Sequence, residues 1–418
     1  MQIQSQTSAR ARFDSLHVYM GFLMSIIGAG MLSVPYTLVL VPKWQALSGI
    51  AFVGGSMACT ANALLHAYVQ AAARAEFEAR VLGAGSKFVG FQALACRAGG
   101  PALGYTVSVV AASGVYGGCV GNIQIIRDLT PFVANLVYDG FTELSNNAQD
   151  HVKNIVIFTR LAQSISIYNF AFMMTLNLLP LFVQLLGISN KDVSSRRGGS
   201  TRGFVSFVSA PPLLTARSKM RQCIFGASFT CAVIYGVLGC AAFGLYSTSI
   251  DGNILLNLQN DPVMKVPLLA MYVTVLFTFP LLFLPLRSLV EEMLSQSFQL
   301  KHLSSENDIE YGQCPAGSMD NDDCSKDSRF GRLLIVLVLL CSQQLIALNV
   351  SGIEVVFSLL GATSCLVICY VFPVIAFTMV YPWRRARHGV LWLSFLWIIV
   401  GTVTIQGFTC VWMLLTSQ

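Results

Sequence analysis

Charge is what this sequence has least of. Asp, Glu, Lys and Arg make up 11% of its 418 residues, where a soluble globular chain carries about 25%. A soluble fold of this length would lack the polar side chains to cover its surface. A net charge of +6 spread over the chain is no basic footprint, so nucleic acid is excluded as a partner. Hydrophobic residues reach 55%, which excludes disorder for most of the chain. Histidine is scarce: His17, His66, His151, His302 and His388 show no metal-binding spacing. His66 lies well within an apolar run, where it reads as an interfacial histidine or, less simply, a proton-coupling group. No nucleotide-binding glycine loop is present. The acidic stretch from Asn321 lacks the glycine and terminal Glu of a calcium loop. These absences predict no enzyme, no metal and no cofactor.

The twelve cysteines do not form a disulfide framework. Most sit singly in apolar runs, as Cys59, Cys119, Cys231, Cys365 and Cys410 do, and read as small buried hydrophobes. Cys314 and Cys324 fall in a polar loop that the charge distribution places in the cytosol, where thiols stay reduced.

Long hydrophobic runs are what the chain has instead. Nine are long enough to cross a bilayer, which takes about 20 helical residues: 17–41, 46–72, 102–126, 163–187, 223–247, 266–286, 333–351, 355–380 and 389–415. None of the charged side chains falls inside them. The runs are continuous rather than alternating, which selects helices over a barrel. The first is longer than a signal core and reads as a span. The apolar run Leu129 to Val137 is too short to be one.

With the N-terminus in the cytosol, alternation puts 21 Lys and Arg residues inside and 5 outside, as the positive-inside rule requires. The expected organisation is a cytosolic tail over 1–16 and a transmembrane domain over 17–418, with cytosolic loops at 188–222 and 288–332. The first of these loops is rich in Ser, Arg and Gly and suits a linker near anionic lipid. The second is acidic. The sequon Asn349-Val350-Ser351 lies at a span end and is expected to be unmodified.

The first run carries an interruption, Ser25-Ile26-Ile27-Gly28-Ala29-Gly30-Met31, followed by Pro35. Glycines weaken the helix and proline removes a donor. In lipid the unpaired backbone groups of such a break are tolerated only against protein or a polar cavity. Freed N–H groups suit a carboxylate and freed carbonyls suit a cation. Close helix packing at small residues is the equally open alternative. Gly114, Gly117, Gly118 and Gly121 read as packing positions. Asn169 and Asn177 in the fourth run need polar partners, either a solute or a neighbouring helix. Thr274 and Thr278, one turn apart in the sixth run, share a face. They either complete an ion site or bond their own helix.

Several stretches, in this order, resemble the amino acid/auxin permease family of secondary amino acid transporters. They are Met24 to Tyr36 (MSIIGAGMLSVPY), Phe170 to Pro180, Arg217 to Tyr246, Phe277 to Arg287 (FTFPLLFLPLR) and Phe357 to Pro373 (FSLLGATSCLVICYVFP). The resemblance implies a leucine-transporter-type fold of two inverted five-helix repeats. Substrate would lie between broken first and sixth helices, coupled to Na+ or H+. Carried over, substrate contacts are Ser25, Gly28, Ala29, Gly30 and Met31 in the first break, and Tyr168, Asn169 and Phe170 in a sixth break spanning Tyr168 to Phe172. Ile26, Thr274 and Thr278 are the ion-site residues.

The family has eleven helices. Residues 127–162 are too few for its fourth and fifth, so the expected fold class is an all-α, polytopic bundle of about nine spans with an incomplete inverted repeat. The expected activity is ion-coupled alternating access for an amino acid, in a plasma membrane or an internal acidic compartment. The absence of a carboxylate from the spans tilts the substrate toward neutral amino acids. The rival is a non-transporting paralogue, membrane sensor or assembly partner; an ion channel would need a filter-like loop or charge ring, and none appears.

Overall fold

A computed structural model of the chain describes residues 16–82, 91–138, 157–196, 210–259, 261–303, 327–350, 352–385 and 388–416. Every regular element among them is helical, as lipid demands of a chain that must satisfy its own backbone. The chain is an integral, multi-pass membrane protein. Among the described residues seven helices are long and apolar enough to cross a membrane, and a bent pair, α1 (Leu16–Ile26) with α2 (Ala29–Leu40), counts as an eighth when taken as one span. A shorter apolar helix, Leu333–Asn349, falls where the seventh hydrophobic run was read.

The remaining elements follow in order: α3 (Lys43–Leu82), α4 (Phe91–Tyr138), α5 (Ile157–Ala171), α6 (Thr175–Arg196), α7 (Ala210–Tyr246), α8 (Ile254–Leu258), α9 (Lys265–Leu303), α10 (Asp327–Asn349), α11 (Ile353–Ala362), α12 (Phe372–Val380) and α13 (Gly389–Thr416). Helices run past the loop boundaries set by hydropathy. Leu129 to Val137 continues α4, because the polar residues Arg127 and Asp128 end an apolar run without ending a helix. Likewise α6 and α9 reach into, and α7 and α10 begin within, the stretches read as loops 188–222 and 288–332. The rest of those loops, and residues 1–15, lie outside the described residues, as does Ser351 of the sequon.

In α4 the helix is interrupted at Gly99 and Gly100. Gly100 has φ +78°, a left-handed conformation that glycine adopts without steric cost. Pro101 then opens the next helix, where its missing N–H costs nothing. Three of the four α4 glycines expected to pack do so. A Cβ at Gly117 or Gly121 would run into Leu360 or Phe357 of α11, and one at Gly114 would touch Ser364. Gly118 faces open space.

The spans containing α5 and α11–α12 are the most enclosed. α5 packs against α3, α11 and α13, while α9 leans on α4 and presents Leu269, Phe277 and Leu281 outward. Where α11 crosses α5 the backbones touch, since a Cβ at Gly361 would fall on the Ser166 carbonyl. Close approach through small residues is how helices associate without a hydrophobic drive between them.

Candidate functional site: two interrupted helices that meet

The first interruption lies where the glycines place it. α1 ends at Ile26, and α2 leaves at an angle of 50°. Between them the Gly28 N–H turns back to the Ile26 carbonyl at 2.9 Å. α2 opens as a 3-10 turn at Ala29, with Gly28 in extended backbone and no side chain capping it. The first N–H groups of such a turn have no partner within it. Gly28 is exposed, and a Cβ there would meet nothing within 4 Å. Gly30 is the opposite case: its Cβ would lie 2.8 Å from Ala171 Cα and 3.0 Å from Phe170 Cδ1. The two readings of this motif therefore divide between its two glycines, Gly30 for packing and Gly28 facing free space.

A second interruption faces the first. α5 stops at Ala171 and α6 starts at Thr175, so the break covers Phe172, Met173 and Met174 rather than Tyr168 to Phe172. Tyr168, Asn169 and Phe170 form the last turn of α5 and already have protein partners. The Thr37 hydroxyl donates to the Val34 carbonyl at 2.6 Å and so accepts from the Tyr168 hydroxyl, also at 2.6 Å. The Asn169 side-chain oxygen accepts from the Tyr370 hydroxyl at 3.0 Å, which also touches Ser56 at 3.2 Å. Phe170 stacks on Phe357, with centroids 4.3 Å apart at 17°. All three α5 residues are buried.

Side chains also tie the interruptions together. Asn177 of α6 donates to the Ser25 hydroxyl at 2.7 Å. Buried Tyr235 of α7 donates toward two carbonyls, Ile26 at 2.8 Å and Ala171 at 3.1 Å. Ala29 and Met31 are half-buried beside them. Of the expected residues, the structure thus gathers Ser25, Ile26, Gly28, Ala29, Gly30, Met31 and Phe170 at one place. Tyr168 and Asn169 sit just behind it.

Thr274 and Thr278 lie on α9. Their hydroxyls bond back along α9, to Ala270 and Thr274 carbonyls at 2.7 Å each, and α9 packs chiefly on α4. The bonds of both hydroxyls stay within their own helix, the second of the two readings the sequence left open. His66 is an edge-on neighbour of Phe377 and Tyr381, at 6.4 and 5.6 Å.

At one end of the bundle the interruptions are covered by the segment between α7 and α9. Ile254 and Leu255 of α8 join Leu32, Phe170 and Phe357 in one apolar cluster. Polar bonds pin the segment. Asn253 caps α8 by accepting from the Leu255 N–H at 3.2 Å and donates to Asp128 at 3.2 Å. Gln259 donates to the Asp128 carbonyl. Arg127 pairs with Asp128 at 3.0 Å and reaches the Ala347 carbonyl at 2.6 Å. The Glu354 carboxylate abuts Gly252 and Gly352, where any Cβ would collide with it. Burial pushes the nearby Asp251 carboxyl above the usual carboxylate range.

Sequence reasoning missed Tyr235, Tyr370, Ser56, Thr37 and Glu354. Tyr235 and Tyr370 carried one signal: a phenol in an otherwise apolar span needs a partner. Among the described residues no cluster of His, Cys, Asp or Glu could hold a metal ion.

Residues 214–415 match the family model described as transmembrane amino acid transporter protein. No curated protein matches the chain. The matched residues cover α7 to α13, whereas both interruptions lie before them.

Proposed function

We propose that this chain, whose residues 214–415 belong to the transmembrane amino acid transporter family, carries an amino acid through the bilayer by alternating access at its two interruptions. The family supports amino acid transport rather than bond-making chemistry. The observation that carries the site is the contact of the two breaks, with Gly30 against Ala171 and open space at Gly28 beside an uncapped helical start. A carboxylate suits the unpartnered N–H groups at that start. The polar bonds around it fix two half-helices against each other, and rigid half-helices hinged at extended residues are the parts that alternating access moves. The driving ion gradient, Na+ or H+, and the N-in orientation belong to this proposal. So does a neutral substrate, since charged side chains stand only at span ends.

Uptake of radiolabelled amino acids by proteoliposomes tests it. Gly28→Phe fills the open space without touching its surroundings at Cβ. Uptake is expected to fall at least about tenfold, the effect of losing roughly 1.4 kcal/mol of solute binding, with the melting temperature unchanged. Full uptake by that variant would place the solute elsewhere. A non-transporting membrane protein is the second reading. It is favoured by residues 139–156, too few to carry two further spans between α4 and α5. No flux for any amino acid would select it.

A further inference from the structure

One carbonyl from each interruption converges on a single oxygen. The Tyr235 hydroxyl lies 2.8 Å from the Ile26 carbonyl and 3.1 Å from that of Ala171. Ile26 is the last residue before the first bend and Ala171 the last of α5. Converging main-chain carbonyls at a break within a membrane are the chemistry that ordinarily receives a cation. Here a phenol proton stands at that point. It brings the positive end of a dipole without the cost of stripping water from an ion. The ring is held edge-on by Phe172, with centroids 5.1 Å apart at 76°, and Tyr235 is fully buried. The hydroxyl has one proton for two acceptors. The bond is therefore shared, and one half-helix can shift while the other keeps the proton.

We infer that the Tyr235 hydroxyl takes the place of a coupling cation where the two interruptions meet, so that no metal cation binds between the Ile26 and Ala171 carbonyls. Its consequence for transport rests on the function proposed above. Any ion gradient that drives the protein then acts at another point. Tyr235 is a positioning residue, bridging the half-helices rather than holding the solute.

The test is thermal unfolding of the full chain in detergent, in sodium chloride and in choline chloride at equal ionic strength and pH. The unsubstituted protein is expected to melt at one temperature in both. Tyr235→Phe keeps the ring and removes the hydroxyl donor from both carbonyls, leaving that of Ile26 with the Gly28 N–H alone. It should melt lower in choline and recover at least half of that loss in sodium, a cation response that a purely structural tyrosine would not create. Tyr235→Gln offers two N–H donors for the two carbonyls and should stay indifferent to sodium. A folded Tyr235→Phe variant no more responsive to sodium than the parent overturns the inference. So does a sodium shift in the parent that the variant loses. Should the Phe variant not fold, the parent and Gln measurements decide. Uptake is scored separately: absence of flux for every amino acid removes the transport reading, while the melting comparison still decides this one.

Discussion

Gly30 and Gly28 stand two residues apart in one motif, and the structure assigns them opposite tolerance for a methyl group. An alanine Cβ at Gly30 would sit 2.8 Å from Ala171 Cα and 3.2 Å from Ala171 Cβ. Ordinary carbon contacts lie at about 3.5–4.0 Å, so the overlap is roughly 1 Å. The obstructing atom is backbone and cannot swing away. Overpacking of this kind costs about 1–3 kcal/mol. The loss of unfolded-state freedom on replacing glycine returns about 0.4–1 kcal/mol, leaving a net destabilisation of about 1–2 kcal/mol. At Gly28 no atom lies within 4 Å and the backbone is extended, so only the entropic gain remains. Gly28→Ala should therefore be neutral or slightly stabilising. The two variants should differ by on the order of 5 °C in melting temperature, taking about 2 °C per kcal/mol for a chain of this size. Heating in detergent with a thiol-reactive dye reads this out, because Cys231, Cys365 and Cys369 are buried and Cys240 and Cys341 give the exposed baseline. Scan rate is held constant, since melting of such a protein is a rate. Equal melting of the two variants, or a lower value for Gly28→Ala, would refute the contact between the interruptions.

Thr274→Ala and Thr278→Ala each remove only a bond to the same helix. Stability should change by less than about 0.5 kcal/mol and uptake should stay within twofold. A tenfold rise in the cation concentration needed for uptake would show instead that they hold an ion. Asn169→Leu removes the acceptor of the Tyr370 hydroxyl, leaving it only the longer contact with Ser56, and should cost about 1 kcal/mol. Adding Tyr370→Phe should recover much of that cost, and a double-mutant cycle with no coupling would break the pairing. Burial raises the Asp251 carboxyl above its unfolded value, so its ionisation opposes folding. Stability from this group is full at low pH and falls as pH rises through the raised value. Asp251→Asn should thus melt higher than the parent at pH 7, the gap closing on acidification toward pH 4; a gap that widens would reverse the sign.

Composition and hydropathy were enough to place eight of the nine expected runs on helices long enough to span, counting the bent pair as one; the run 333–351 became the shorter helix Leu333–Asn349. The exclusion of charge from long apolar runs is a property of the sequence itself, and lipid leaves helices as the only way to satisfy those backbones. The first bend was legible for a local reason, two glycines around an alanine with Pro35 following. The second was misplaced because Phe172-Met173-Met174 contains no helix breaker. Meanwhile Pro180 sits inside α6, and Pro280 and Pro285 inside α9, without ending either helix. That second break is held from outside, by Gly30 against Ala171 and by Tyr235 on the Ala171 carbonyl.

The sequence by itself thus determined a polytopic helical membrane protein with a weak point near Gly28, because hydrophobic length and backbone propensity act within a few residues of where they are written. Only the tertiary structure decided which glycine is packed and which is open, that Asn169 serves Tyr370, and that Tyr235 bridges the two breaks. Those outcomes depend on atoms from segments up to 209 residues distant along the chain. The helix rotations that bring such atoms within hydrogen-bonding reach emerge only when every span is packed at once.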